Sequence, residues 1–272
     1  MSSPVPQAPH PRSDLQNSLR KGLLLGLGVL VLALPPVRRG PEAPSKPVAT
    51  QAVAPPTVSV PSAARPLPPQ RRQPVQPHFA VFGKERASAD ARHIANWALY
   101  SGDNEGKSVV IVDKRNAKVF VFSPQGRLVS ATPALLGSAV GDHTVPGIGD
   151  KPLSQVLPQE RTTPAGRFVA EPGMNTHGED IVWVDYDAAV SMHRVRPNVK
   201  AERRLQRLAS ATPTDNRISF GCINLPVSFY EKVLSPTVQS TGAIIYVLPE
   251  VQSAQALFGS FEVPARAILA QR

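Results

Sequence analysis

Cys222 and His193 are the residues of this chain best suited to covalent chemistry. Cys222 is the only cysteine among 272 residues, so it has no partner for an internal disulfide. It can be an inert buried thiol, an intermolecular link or a nucleophile. Its flanks, Ser219-Phe220-Gly221-Cys222-Ile223-Asn224, favour the nucleophile. Gly221 permits a tight turn that aims successive N–H groups at one point, while Ser219 and Asn224 supply polar contacts. A thiol attacks as the thiolate and therefore needs a base or a lowered pKa. His193 is the candidate base, because it follows Ala189-Val190-Ser191-Met192, a run suited to a strand that rises from a core and holds the ring rigidly. A lone histidine is more often structural than basic; its pairing with a Gly-Cys turn reverses that weighting. The chemistry this pair allows is acyl transfer through a thiolate.

His143 and His177 lie in polar, glycine-flanked loops and are the competing bases or candidate metal ligands. No two histidines have short ligand spacing and the one thiol has no cysteine partner, so no metal site is expected.

The elements that must position these groups are mostly strands. Val109 to Val112, Val119 to Phe122, Leu128 to Ala131, Phe168 to Ala170, Ile181 to Val184, Val190 to Met192 and Ile244 to Leu248 are short runs rich in β-branched and aromatic residues. Lys114-Arg115-Asn116 and Ser123-Pro124-Gln125-Gly126 fit tight turns between the first three. Helical spacing is clear in two places: Lys84 to Tyr100, with Ile94, Trp97 and Ala98 on one face and Gly102 as the stop, and Val227 to Leu234. Many strands with few helices predict a mainly β fold, a sandwich, in place of alternating βαβ units. Ala201 to Leu208 reads as a short basic helix with Leu205 and Leu208 inward, either a lid or a solvated excursion.

The remaining sequence divides by composition. Residues 1–21 form a polar start, expected to be cytoplasmic, and 22–36 an apolar run, too short for an ideal spanning helix, that reads as a signal sequence or membrane anchor. Thirteen of the 30 prolines fall between Pro35 and Pro77, which predicts an extended spacer over 37–80. Residues 81–106 form a helical lead-in, 107–250 the main domain and 251–272 a tail. The formal net charge of +10 is spread without an aromatic-rich reading motif, so nucleic acid is not the expected partner. An anionic envelope polymer fits better, with a solvated basic surface as the bland alternative.

Thr163-Pro164-Ala165-Gly166, a histidine at a strand end, and Ser219-Phe220-Gly221-Cys222-Ile223-Asn224 together resemble the L,D-transpeptidase family of bacterial cell-wall enzymes, with its YkuD-type catalytic domain. The resemblance covers Lys107 to Pro249. Three features depart from the family pattern: Phe220 stands where many members carry a second histidine, Arg194 replaces a glycine often found after the base, and the gap from His193 to Ser219 is long. The resemblance implies a mixed β-sandwich with a few short helices and a cysteine acyltransferase that needs no cofactor. Its substrate would be a peptidoglycan stem tetrapeptide, cleaved before the terminal D-Ala through a Cys222 thioester and joined to a neighbouring stem in a 3-3 cross-link. His193 would act as base and acid, oriented by the backbone carbonyl beside it, with Asp185 and Asp187 in reserve. N–H groups of Phe220, Gly221 and Cys222 would form the oxyanion site, shaped by Ser219 and Asn224, with Arg217, Arg194 and Thr163 as substrate-binding candidates. It also implies an exported protein of the periplasm or envelope, held at the inner membrane if residues 22–36 stay attached. Two other functions remain open: the same acyl-enzyme discharged by water, as an L,D-carboxypeptidase or amide hydrolase, and a non-catalytic wall-binding module.

Overall fold

The computed structural model describes residues 77–264. The polar start, the apolar run, nearly all of the expected spacer and the last eight residues lie outside the described residues. Among the described residues no helix is long and apolar enough to cross a membrane.

The first helix, α1, runs Ala89–Ser101. It starts five residues later than its periodicity suggests because Ser88 accepts a hydrogen bond from the Ala91 N–H and so caps the helix there; Gly102 closes it in the left-handed conformation at φ 77°. Eleven strands follow or alternate with short helices: β1 Ser108–Asp113, β2 Lys118–Phe122, β3 Leu128–Pro133, β4 Leu136–Gly137, β5 Gly166–Val169, β6 Glu171–Met174, β7 Asp180–Asp185, β8 Val190–Arg194, β9 Arg217–Ser219, β10 Ile223–Leu225 and β11 Ala243–Val247. The helices after α1 are α2 Arg204–Leu208, α3 Val227–Phe229, α4 Ser235–Thr241 and α5 Ala254–Phe258. A π-turn at Tyr230–Leu234 joins α3 to α4; it precedes Pro236, which has no N–H to continue a regular ladder.

The strands make a sandwich. One sheet has the order β3-β2-β1-β11-β5, with β1 and β11 parallel and the other pairs antiparallel; the second has the order β10-β8-β7-β6, with β10 parallel to β8. A small parallel pair, β4 and β9, completes the set. Strand alternation sorts the first sheet cleanly: Val110, Val112, Val119, Val121, Ile245 and Val247 face the second sheet, while Ile111, Phe120, Phe122, Ile244 and Tyr246 face α1 and its Ile94, Trp97 and Leu99. Both faces are covered, which is why β1 reads as an unbroken apolar run.

The second sheet contributes only one face to the core, through Val182, Val184, Val190, Met192, Ile223 and Leu225. Residues of α1, Ile94, Trp97 and Leu99, pack on the outer face of the first sheet. Two boundaries change. Phe79 is buried and Ala80 donates to Asn96 Oδ1, so the end of the expected spacer belongs to the fold. The tail contributes α5, capped by Ser253, with Ala254 and Phe258 against α1 and the first sheet.

Candidate active site

Because β10 runs parallel to β8 with Ile223 opposite Met192 and Asn224 opposite His193, the residues between these core positions share the opposite face. Ser191, His193, Cys222 and Asn224 therefore gather on the side of the second sheet that the core leaves open. His193 Nδ1 lies 2.7 Å from the Arg194 carbonyl oxygen. A carbonyl only accepts, so Nδ1 carries the proton and Nε2 is left with its lone pair for the thiol. The Arg194 carbonyl thus orients the His193 ring, while Asp185 accepts the Ala188 N–H in the turn between β7 and β8. The sulfur contacts the Ala189 carbonyl oxygen at 3.6 Å and Ser191 Oγ at 3.7 Å. Burial pushes the Cys222 thiol up, but hydrogen bonding and charge from His193, together with the N–H and hydroxyl of Ser191, outweigh it and hold the thiol below its ordinary value.

The turn that carries Cys222 is tied on every side. Ser219 Oγ donates to the Cys222 carbonyl at 2.6 Å and accepts from the Gly221 N–H at 3.1 Å. Thr163 Oγ1 donates to the Gly221 carbonyl at 2.7 Å and accepts from the Gly137 N–H at 2.9 Å. Gly221 has φ 141°, and a Cβ there would come within 2.8 Å of the Thr162 carbonyl oxygen, so the close approach of these two backbones requires glycine. In a trans peptide the N–H opposes the C=O; anchoring the Gly221 carbonyl on Thr163 turns the Cys222 N–H the other way. Among the described residues neither the Cys222 nor the Phe220 N–H has a hydrogen-bond partner.

Several expectations change here. The Gly221 N–H is engaged by Ser219 Oγ, so it is not free for an oxyanion. Thr163 is fully buried and serves the turn, with no surface for substrate. Arg217 pairs with Glu250 and donates to the Lys114 carbonyl. Behind it Lys114, buried, donates to the carbonyls of Gly141 and Thr163 and to Asp142. This network backs the Thr163 turn, and it draws Arg217 inward because its carboxylate partner lies 33 residues away in sequence. Arg194 is bound to Asp180 and Glu231 and lies over the Tyr230 ring at 4.5 Å. His177 sits in the exposed turn between β6 and β7, where its N–H donates to Asn175 Oδ1, and the exposed His143 contributes only its carbonyl, to Thr162 Oγ1. Neither joins Cys222. Among the described residues there is no cluster of metal-ligating side chains.

Arg161 and Arg204, which the sequence did not single out, also reach the site. Phe220 is partly exposed, with the Arg161 guanidinium 4.1 Å from its ring centroid. Arg204, in α2, donates to Asn224 Oδ1 at 2.7 Å, while the Asn224 amide donates to the Cys222 carbonyl at 3.2 Å. The long segment after β8 is thereby fastened to the cysteine motif. Leu208 is buried in a small cluster with Leu135 and Val195, but Leu205 is exposed, contrary to its expected inward face. Ser191 is the residue whose pattern was readable: it occupies the same strand face as His193, one alternation earlier. Beside His193 a cavity of about 200 Å³ is lined by Glu179, Asp180, Arg196, Asn198 and Val227, among others. A larger cavity of about 340 Å³ lies between α1 and the tail, remote from Cys222 in the fold.

No protein-family model and no curated protein matches the chain. Solved structures do. An L,D-transpeptidase from Mycobacterium smegmatis is 19% identical, with 52% of this chain and 58% of that one covered and a TM-score of 0.29. The helical cell shape determining protein Pgp2 from Campylobacter jejuni is 13% identical over 54% of this chain and 49% of that one, with a TM-score of 0.36. Bd1075 from Bdellovibrio bacteriovorus is 16% identical over 61% and 55%, with a TM-score of 0.33. The chain thus spans about half the length of the solved chains it is similar to. L,D-transpeptidases are among these structures. The strand order of this chain is itself that of the mixed β-sandwich expected from the sequence.

Proposed function

We propose that the protein is a cysteine acyltransferase of the L,D-transpeptidase type that acts on peptidoglycan stem peptides. The observation that supports it most is the Cys222 thiol held beside an imidazole whose Nδ1 is committed to the Arg194 carbonyl. His193 Nε2 takes the thiol proton, and Sγ forms a bond to the carbonyl carbon before the terminal D-Ala. The tetrahedral oxyanion lies against the Cys222 and Phe220 N–H groups, each such donor being worth about 3 to 4 kcal/mol where one has been removed. As the C–N bond breaks, the proton on His193 passes to the departing amine. A second amine, from a neighbouring stem, attacks the thioester; its proton goes to His193 and the thiol is regenerated. Export, with residues 22–36 as signal or anchor, belongs to the same proposal and rests on the sequence.

The test is mass spectrometry of purified muropeptides incubated with the full chain. Dimers lacking one D-Ala are the expected products. Tripeptides formed by water in place of an amine would identify an L,D-carboxypeptidase with the same nucleophile. Unchanged muropeptides would overturn the enzyme reading and favour a wall-binding module.

A further inference from the structure

The hydroxyl of Ser191 is buried, at 5% exposure, and its hydrogen-bond partner is Cys222 Sγ at 3.7 Å. Among the described residues no other hydrogen bond of this hydroxyl is present, so nothing in the fold requires it apart from the sulfur. Its placement follows from register, because the parallel pairing of β8 and β10 puts Ser191 level with Cys222 and one alternation before His193. A hydrogen-bond acceptor also lies on the sulfur, the Ala189 carbonyl oxygen at 3.6 Å, held there by a residue with φ 52°, a left-handed conformation that costs a non-glycine residue on the order of 1 kcal/mol.

These two groups favour opposite states of the thiol. A carbonyl oxygen can accept from S–H but repels a thiolate, whereas a hydroxyl can rotate to donate to one. We propose that Ser191 is a catalytic residue whose hydroxyl donates to the Cys222 thiolate, with the Ala189 carbonyl holding the neutral thiol in the resting state. The inference rests on the reading of Cys222 as nucleophile. When the proton passes from Sγ to His193 Nε2, the bond from S–H to the Ala189 oxygen is lost and the bond from Ser191 O–H to the sulfur strengthens. His193 then moves the proton, and Ser191 keeps the charge left behind in place beside it.

A hydroxyl acting this way has a signature that a packing role lacks. It raises the thiolate fraction, and it slightly lowers the reactivity of each thiolate, since nucleophilicity falls as pKa falls. Its removal is therefore felt below the midpoint of the Cys222 alkylation profile, and hardly at all on the alkaline plateau. The experiment is the rate of iodoacetamide alkylation of the full chain across the pH range, for wild type, Ser191→Ala and Ser191→Thr.

Ser191→Ala is expected to move the midpoint to higher pH and to slow alkylation below it by about ten-fold, the size of one hydrogen bond to a charged group. Its plateau should equal or slightly exceed that of wild type. Ser191→Thr keeps the hydroxyl and should keep the wild-type profile. An unmoved midpoint in Ser191→Ala would overturn the proposal, as would equal displacement by both variants or a fall in the plateau. A Ser191→Ala chain that fails to fold would also count against it, because the hydroxyl would then be serving the fold. The probe is a small alkylating agent, so the result stands whether or not the wild-type chain cross-links stem peptides.

Discussion

The two sheets of the sandwich use the same strand alternation for different ends. In the first, both faces of β1, β2 and β11 are buried, valine toward the second sheet and aromatics toward α1. In the second, β8 and β10 bury Val190, Met192, Ile223 and Leu225 and turn Ser191, His193, Cys222 and Asn224 to the other side. The first sheet is apolar on both sides and carries stability; the second has a core face and a chemical face. The comparison teaches that substitutions on the first sheet should unfold the protein, and that those on the open face of the second should leave the fold and remove the reaction.

The largest effect expected from this contrast is on the first sheet. Phe120 is fully buried, in edge-on contact with Phe82 at 5.4 Å between centroids. Phe120→Ala should cost about 3 to 5 kcal/mol of stability, seen as a large fall in melting temperature. Next comes His193→Ala on the open face. It should lower the acylation rate by about 10² or more and leave the melting temperature within a few degrees of wild type. Retained acylation there, with loss in His143→Ala or His177→Ala, would move the base from β8 to one of those loops.

Acid provides a third, intermediate perturbation, at the network behind the site. Burial pushes the Asp142 carboxyl up, but the N–H groups of Gln252, Glu250 and Val251 and the Lys114 ammonium outweigh it and bring it from the usual 3.8 to about 2. A carboxyl depressed in the folded state adds stability that is present above its unfolded value and lost as pH falls through the folded one. The network should therefore weaken between about pH 4 and pH 2, by about 2 kcal/mol in total. Denaturant titrations at stepped pH check this, and Asp142→Asn should flatten the dependence. The smallest effect is at Phe220, whose exposed ring makes one cation–π contact with Arg161. Phe220→Ala should change stability by about 1 kcal/mol or less and alter substrate affinity more than acylation rate.

How far the fold could be read from the sequence followed from how local each cause is. β1, β2, β8 and β11 announce themselves by composition, and the helix stop at Gly102 by its residue type. β4, β9 and β10 are two or three residues long and exist only because distant partners pair with them, so no local pattern marks them. Cys222 and His193 were legible because their chemistry is rare and their spacing suits a strand and a turn. Ser191 shared that strand and that alternation, yet serine is too common to single out without the sulfur beside it. Arg217 and Thr163 were misread as reaching outward, since the groups that claim them, Glu250, Gly137 and Gly221, are distant in sequence. The same holds for Arg204, which reaches Asn224 across 20 residues.

The central claim, that the open face of the second sheet works through a Cys222 acyl-enzyme, is tested most directly by intact-mass spectrometry of the full chain mixed with a stem tetrapeptide. The account predicts an adduct of the tetrapeptide less its terminal D-Ala, mapped to Cys222, absent from Cys222→Ala and slow to form in His193→Ala. No adduct on the wild-type chain, an adduct at another residue, or undiminished turnover by a folded Cys222→Ala chain would contradict it.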